Sequence, residues 1–407
     1  MQGSEIVARA ERLARHSDSS ENYTRTFLTP AHREAAALIA DWMREAGMEV
    51  RVDAIGNVIG RYEGAEAGAK TLLMGSHFDS VRNGGKFDGV LGILVPIASV
   101  AQLAAQGERL RVALEVVAFS DEEGARFQTS FLSSRALIGR SDPSVVGKRD
   151  VQGVTLAQAM RDAGLDPDGI RAASIDPATL AAYVEVHIEQ GPVLLDEGVP
   201  LGVVTSIASG IRYMATVKGD AGHAGTVPMA RRKDALAAAA EMVLAVEKQC
   251  ARVDGAVGTV GILRVKDATG NVIPGEVEFS IDVRAPDDDR RRKAEEATTA
   301  ELERIAKRRG VAIELARGPH DVSAVPCADW LQDRLAKSIE RCTRSTPAKR
   351  LPSGAGHDAM ILAEVSPVGM LFVRCGAGGV SHNPAETVTA DDAGLAAEVL
   401  LDFLREF

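Results

Sequence analysis

Aromatic residues make up only 4% of the 407-residue sequence, which disfavours the aromatic-lined grooves that hold single-stranded nucleic acids or sugars. The four cysteines are scattered without a C-x-x-C pair, so we expect neither a thiolate metal cluster nor a disulfide framework. A net charge of −10 argues against nucleic acid or an anionic membrane as a partner. No apolar run reaches the roughly 18 residues of a transmembrane helix, so none is expected.

The N-terminus also lacks an apolar segment followed by a cleavage signature, so we expect no signal peptide and a cytoplasmic protein. Hydrophobic residues amount to 45%, which is enough for a sizeable core. A chain of this length suggests two domains.

Strand and helix patterns alternate along much of the chain. Short apolar runs at 71–77, 111–119, 181–188 and 368–375 indicate strands buried on both faces, and residues 89–107 indicate a crossover helix. This order predicts an α/β domain with a helix-covered mixed sheet. The first 50 residues are predicted to be helical, with Pro30 suited to a first helical turn.

Residues 210–321 follow a different order, β-α-β-β-α-β, which predicts a ferredoxin-like α+β module. The apolar strand pattern returns after it. We therefore predict that 210–321 is inserted into a domain formed by 1–209 and 322–407.

Histidines and carboxylates follow the ends of the predicted strands. In open α/β sheets this edge is where sites form, so these side chains are expected to converge. One histidine at a strand end is more often structural, but several such features in one chain favour a metal site. The candidate ligands are His77, Asp88, Glu123, His187 and His382.

Three histidines and two carboxylates suffice for two zinc-like ions when one carboxylate bridges them. We predict one ion at His77, Asp88 and His187. The other ion would use Asp88, Glu123 and His382.

Two further carboxylates have predicted roles beside these ligands. Asp79 lies two residues after His77, on the same side of an extended chain, and would orient that histidine. Glu122 neighbours Glu123 but should point elsewhere, which leaves it free to act as a general base.

The segments GSHFDSVRNGGKFDGVLG, FSDEEGARF, HIEQGPVL, GHAGTVPM and SHNPAE resemble the hydantoinase/carbamoylase family, within the dinuclear-zinc peptidases and aminoacylases. The likeness runs from about residue 30 to the C-terminus, in the family's order. Peptidases of the wider group usually have an acidic ligand where this chain has His187. That difference favours an N-carbamoyl or ureido substrate over a peptide, and disfavours an aminoacylase or dipeptidase.

The resemblance implies an α/β catalytic domain with an inserted lid, here 210–321, through which two subunits form a homodimer. It implies two divalent ions per subunit, with zinc expected first and manganese or cobalt also suited to such ligands. Gln190 is similar to the family's substrate-contacting glutamine, and His223 to the lid histidine that stabilises the oxyanion. Asn271 and Arg284 are similar to residues that hold the substrate carboxylate. The segment SGAGHDA resembles a backbone clamp on the substrate, formed by Gly354, Ala355 and Gly356.

The expected activity is metal-dependent hydrolysis of the ureido C–N bond of N-carbamoyl-L-amino acids, which gives the amino acid, ammonia and CO2. An allantoate amidohydrolase that forms ureidoglycine, or a β-ureidopropionase, uses the same chemistry and stays an alternative. A non-catalytic binding protein would have lost a ligand or the base, and a structural dimeric scaffold would not need so many polar residues. The resemblance thus implies a small ureido carboxylate as the substrate.

Overall fold

The computed structural model describes residues 2–344 and 347–407. Strands and helices alternate along much of the chain. The strands are, in chain order, β1 (Glu49–Val52), β2 (Val58–Tyr62), β3 (Thr71–His77), β4 (Ala113–Phe119), β5 (Leu180–Ile188), β6 (Leu201–Ile207), β7 (Ser209–Lys218), β8 (Gly222–His223), β9 (Val257–Thr259), β10 (Leu263–Val265), β11 (Val272–Ile273), β12 (Glu276–Ala285), β13 (Ala312–Val322), β14 (Val325–Pro326), β15 (Arg350–Ser353) and β16 (Val368–Val373). The helices are, in chain order, α1 (Gly3–Leu13), α2 (Pro30–Glu45), α3 (Leu91–Ala105), α4 (Leu132–Leu137), α5 (Leu156–Asp162), α6 (Val193–Asp196), α7 (Ala235–Cys250), α8 (Asp288–Arg309), α9 (Asp329–Thr343), α10 (Asp358–Leu362) and α11 (Ala390–Arg405).

The chain divides into two compact units. The first consists of Met1–Thr205, Cys327–Leu351 and Gly356–Phe407, and the second of Ser206–Pro326 and Pro352–Ala355. The sequence predicted the insertion at 210–321. That one part is catalytic and the other a lid stays a prediction.

The larger sheet has the strand order β1-β2-β4-β3-β5-β16-β6-β14, with β15 also paired to β6. Strand β3 runs parallel to β4 and β5, and β5 runs parallel to β16. Strands β2 and β6 are antiparallel to their neighbours β4 and β16. Four adjacent parallel strands therefore end at one edge, and the predicted helix-covered mixed sheet is confirmed.

Burial explains how this sheet presents polar side chains. Strands β3, β4 and β16 are buried along their whole length, as expected for strands covered on both faces. Along β5, Val184 and Val186 join the apolar core that includes Leu94 of α3. Because side chains alternate along a strand, Glu185 and His187 face the opposite side of the sheet.

The prediction of a helical N-terminal region is wrong for residues 14–29 and for β1. The Oγ of Ser17 accepts a hydrogen bond from the backbone N–H of Thr24, and the Asp18 carboxylate accepts one from the backbone N–H of Thr26. Such local side-chain bonds compete with a helix for the backbone. Helix α2 begins as predicted, with Pro30 in its first turn and Thr29 as its N-cap.

The second unit has a sheet of order β10-β12-β7-β13 in which all paired strands are antiparallel. Helices α7 and α8 pack against this sheet and against each other. This is the arrangement of a β-α-β-β-α-β ferredoxin-like module.

One predicted strand of that module is divided in two. Strands β9 and β10 both pair with β12, where Thr259 faces Asp282 and Leu263 faces Phe279. The chain advances four residues from Thr259 to Leu263, while β12 advances three from Asp282 to Phe279. The extra residue forms a bulge between β9 and β10. Among the described residues, no helix has the length and apolar character needed to cross a bilayer.

Candidate metal centre

The candidate ligands of the first unit lie at the carboxyl ends of its parallel strands. His77 is the last residue of β3, and His187 is the last but one of β5. Glu123 lies in the turn after β4, and His382 lies in the loop after β16. Asp88 lies in the loop between β3 and α3. The parallel strands therefore bring together residues that are hundreds of positions apart in the sequence.

The two oxygens of the Asp88 carboxylate face two different sets of donor atoms. Its Oδ1 lies 3.3 Å from Nε2 of His187 and 3.8 Å from Nε2 of His77. Its Oδ2 lies 3.1 Å from Nε2 of His382, which is itself 3.5 Å from Oε1 of Glu123. In each set, three ligand atoms lie within 4.8 Å of one another. A carboxylate between two such sets has the geometry of a bridging ligand.

The backbone fixes which nitrogen of each buried histidine can face a metal. Nδ1 of His77 lies 3.1 Å from the carbonyl oxygen of Asp79, and Nδ1 of His187 lies 2.9 Å from that of Ile188. A carbonyl oxygen only accepts, so Nδ1 must be the donor in both rings. The neutral form of each ring then keeps the lone pair of Nε2, on the side of Asp88, for a metal ion.

Asp79 contacts both His77 and the turn that follows β4. Its Oδ1 lies 3.4 Å from Nδ1 of His77. The same carboxylate accepts the backbone N–H groups of Glu122 at 3.0 Å and Glu123 at 3.2 Å. Asp79 therefore holds both a candidate ligand and the turn that carries the proposed base.

Burial shifts the pKa values of several groups at this centre. Burial and the charge of Asp88 raise the pKa of Glu123 to about 7. Burial raises the pKa of Glu122 well above its ordinary value, and it lowers the pKa of His187 to about 4. Once deprotonated, imidazoles and carboxylates together are a donor set that suits divalent zinc, manganese or cobalt.

His382 differs from the other two histidines because it is about half exposed, at 49% of its side chain. Its hydrogen bond to Asp88 raises the pKa of His382 to about 9. A proton on this ring competes with a metal ion for Nε2, so binding of an ion there releases that proton.

Gln190 lies against the same carboxylate. Its Nε2 is 3.2 Å from both oxygens of Asp88. Its Oε1 is buried, and among the described residues it has no hydrogen-bond partner. Both Gln190 and His382 have a positive φ, at 58° and 53°. Such strained backbone is concentrated at functional sites, where the surrounding structure holds it in place.

Several residues that support the candidate ligands were not predicted from the sequence. Ser381 and Glu386 make hydrogen bonds around Asp88. Arg25 is fully buried, and its Nε donates to the carbonyl oxygen of Phe78, directly after His77, at 2.6 Å. An arginine is usually exposed, so composition and periodicity give no signal for such a position.

Five predicted substrate residues belong to the second unit, where they form two groups. Strand β8 pairs with β11 so that His223 faces Val272, and the backbone N–H of Ala224 donates to the carbonyl oxygen of Asn271 at 3.0 Å. Arg284 donates to the carbonyl oxygen of Gly354 at 2.9 Å, next to Ala355. Gly356, the third residue of the predicted backbone clamp, falls in the first unit.

The guanidinium of Arg284 already has an anionic partner in the described structure. Its Nε and Nη2 donate to the two oxygens of Asp282 at 3.0 and 3.2 Å. The same carboxylate accepts a hydrogen bond from Arg212 at 2.7 Å. A substrate carboxylate would therefore have to share Arg284 with Asp282.

The sequence matches a known protein family over most of its length. The sequence pattern of Peptidase family M20/M25/M40 matches residues 71–406. The chain belongs to this family.

Among the relatives of the chain, the N-carbamoyl-L-amino acid amidohydrolase of Geobacillus stearothermophilus is 44% identical over 381 residues, covering 94% of this chain and 92% of that protein. The allantoate deiminase of Arabidopsis thaliana is 39% identical, covering 98% of this chain and 82% of that protein. A hydantoinase/carbamoylase family amidase from Burkholderia ambifaria has a similar structure, with a TM-score of 0.90, 34% identity, and coverage of 99% of this chain and 97% of that one. The predicted resemblance to the hydantoinase/carbamoylase family is confirmed.

Proposed function

We propose that the protein is a metal-dependent amidohydrolase that cleaves the ureido C–N bond of N-carbamoyl-L-amino acids. The products would be the free amino acid, ammonia and CO2. The observation that carries the proposal is the position of Asp88 between two histidine-carboxylate sets. His77, Asp88 and His187 would hold one divalent ion, and Asp88, Glu123 and His382 would hold the other.

The substrate class rests on relatives and on the chemistry of the site. The relative from Geobacillus stearothermophilus, 44% identical, is named for N-carbamoyl-L-amino acids. The buried Oε1 of Gln190 has no donor among the described residues, and a buried acceptor without a donor is costly. A ureido group has several N–H donors, so its binding beside Gln190 would satisfy this oxygen.

The mechanism assigns a separate task to each side chain. Bound divalent ions supply Lewis acidity and make water a better nucleophile near neutral pH. Glu122 would take a proton from the attacking water and deliver it to the leaving nitrogen. Burial raises the pKa of Glu122, which favours its holding the proton that it takes from the water. Asp79 would hold Glu122 through its backbone N–H group.

We assign the remaining substrate contacts from the family resemblance. His223 would stabilise the oxyanion, a contribution that is typically about 3–4 kcal/mol. Asn271 and Arg284 would hold the substrate carboxylate, and Gly354, Ala355 and Gly356 would contact the substrate through their backbone. These roles make the second unit a lid whose closure completes the site.

A homodimer that forms through the second unit is part of the proposal. Strand β10 is at an edge of its sheet, and Leu263 of that strand and Val257 of β9 are exposed. Leu244 of α7 is also exposed, at 67%. Exposed apolar residues along a sheet edge favour association with another chain. Sedimentation velocity should give twice the mass of one chain, and a monomer at micromolar concentration would refute this part.

We also propose a cytoplasmic location.

A second candidate function is hydrolysis of allantoate, because a relative at 39% identity is named allantoate deiminase. A β-ureidopropionase would need a longer distance between carboxylate and ureido nitrogen.

The test is to measure kcat/KM for N-carbamoyl-L-amino acids, allantoate and N-carbamoyl-β-alanine. Each is assayed with chelated enzyme and again after zinc, manganese or cobalt is restored. We expect the highest kcat/KM for an N-carbamoyl-L-amino acid, and only with metal. A metal-independent rate, or no rate on any of the three, would refute the proposal.

A further inference from the structure

Glu386 connects two loops of the proposed metal centre. It lies in the SHNPAE segment after β16 and is fully buried. Its Oε1 accepts the backbone N–H groups of Phe87 at 2.8 Å and Asp88 at 3.0 Å. Its Oε2 accepts the hydroxyl of Ser381 at 2.7 Å. One carboxylate thus holds the backbone of the proposed bridging ligand and the residue that precedes His382.

Ser381 extends this connection to the side chain of Asp88. Its Oγ lies 3.2 Å from Oδ2 of Asp88, but a hydroxyl has only one proton and the shorter contact is to Glu386. Nε2 of Gln190 lies 3.4 Å from the same hydroxyl. The network therefore surrounds the oxygen of Asp88 that faces His382.

Gly85 makes room for the carboxylate of Glu386. A Cβ built at this position would overlap the carboxylate carbon and both oxygens of Glu386. The backbone of Gly85 does not require a positive φ, so space alone argues against a side chain here. The loop from Gly85 to Asp88 therefore follows the Glu386 carboxylate closely.

We infer that Glu386 is a positioning residue that fixes Asp88 relative to His382, so that both can bind the same divalent ion. This inference rests on the proposed two-ion site. Without Glu386, the N–H groups of Phe87 and Asp88 lose their common acceptor, and the Asp88 loop can move away from His382. Loss of a residue that supports metal ligands typically costs about 10–100-fold in metal affinity or activity.

The test is equilibrium binding of zinc to metal-depleted protein, measured by dialysis and elemental analysis, with thermal unfolding of the same metal-free samples. The variants are Glu386→Ala, Glu386→Gln and Gly85→Ala, alone and combined. Asp150→Ala is the matched control, because Asp150 is a buried carboxylate that also accepts two backbone N–H groups, from Gln152 and Val154.

We expect wild-type protein and Asp150→Ala to bind two ions per chain. Glu386→Ala should bind the weaker ion at least about tenfold less tightly. Glu386→Gln should stay closer to wild type, because its amide oxygen can accept the same two N–H groups. Gly85→Ala should resemble Glu386→Ala, yet add nothing in the double variant, because the side chain that it displaces is then gone.

Metal binding by the wild-type protein tests the two-ion site, and metal binding by Glu386→Ala tests the role of Glu386. If wild-type protein binds fewer than two ions, the proposed two-ion function is wrong, and this inference falls with it. If wild-type protein binds two ions and Glu386→Ala binds both with unchanged affinity, only the role of Glu386 is refuted. Additive losses from Gly85→Ala and Glu386→Ala would also refute the role assigned to Glu386.

Discussion

Asp79 accepts the backbone N–H of Glu122 at 3.0 Å, so the carboxylate that lies beside Nδ1 of His77 also holds the proposed general base. Asp79 and Glu122 follow the ends of β3 and β4, which are parallel neighbours. Their carboxyl ends therefore meet, and one short side chain can reach both loops. This relationship separates two roles that mutation can test independently: proton transfer by Glu122 and support by Asp79.

Glu122→Gln should retain both metal ions but lower kcat at least about a hundredfold, the usual contribution of a general base. The amide keeps the shape of the side chain and cannot take up the proton. Steady-state kinetics with elemental analysis of the same sample would test this. Glu123→Gln is the control and should lose metal instead. Near-normal turnover in Glu122→Gln would remove Glu122 from the mechanism.

Asp79→Ala should weaken zinc binding and lower kcat together, by about 10–100-fold in either quantity. The variant removes the acceptor for two backbone N–H groups and the carboxylate beside Nδ1 of His77. Asp79→Asn keeps one oxygen acceptor and should have a smaller effect. Dialysis against buffered zinc, followed by kinetics on the same variants, would measure both. Full metal affinity in Asp79→Ala would contradict the assigned role.

The convergence of the candidate ligands could be predicted from the sequence because strand ends constrain where side chains lie. His77 and His187 end apolar runs that could be recognised by their composition, and parallel strands bring such ends to one edge. A similar argument placed Glu123 after β4. The five candidate ligands converge in the described structure, and their roles as ligands stay a prediction.

The supporting contacts could not be predicted in the same way. The bonds from Phe87 and Asp88 to Glu386 depend on the path of two loops that are nearly 300 residues apart in the sequence. Arg25 gave no signal because its backbone acceptor, the carbonyl oxygen of Phe78, lies 53 residues away in the sequence. The bulge between β9 and β10 is likewise visible only in their pairing with β12.

The metal-free protein should become less stable as the pH rises from 7 to 9. Burial raises the folded-state pKa of Glu123 to about 7, and the hydrogen bond to Asp88 raises that of His382 to about 9. Both values lie above those of the unfolded chain, so the folded state holds more protons and loses stability as they dissociate. The contribution of Glu123 is lost as the pH rises to about 7, so His382 accounts for the loss between pH 7 and 9. Urea unfolding of chelated protein at several pH values would measure this. Zinc-loaded protein, whose ligands are held deprotonated, should show a smaller loss. Equal slopes for both forms would contradict the prediction.

Arg284→Lys should raise KM for carboxylate substrates more than it lowers kcat, because an ammonium cannot reproduce the two-pronged contact of a guanidinium. The chain offers a matched control: Arg212 donates to the same carboxylate, that of Asp282, but has no predicted contact with substrate. Arg212→Lys should therefore leave KM nearly unchanged while it disturbs Asp282 to a similar degree. Comparing each substrate with its carboxamide analogue isolates the carboxylate, since the analogue should bind both variants alike. If the two variants raise KM equally, Arg284 acts through Asp282 and does not bind the substrate.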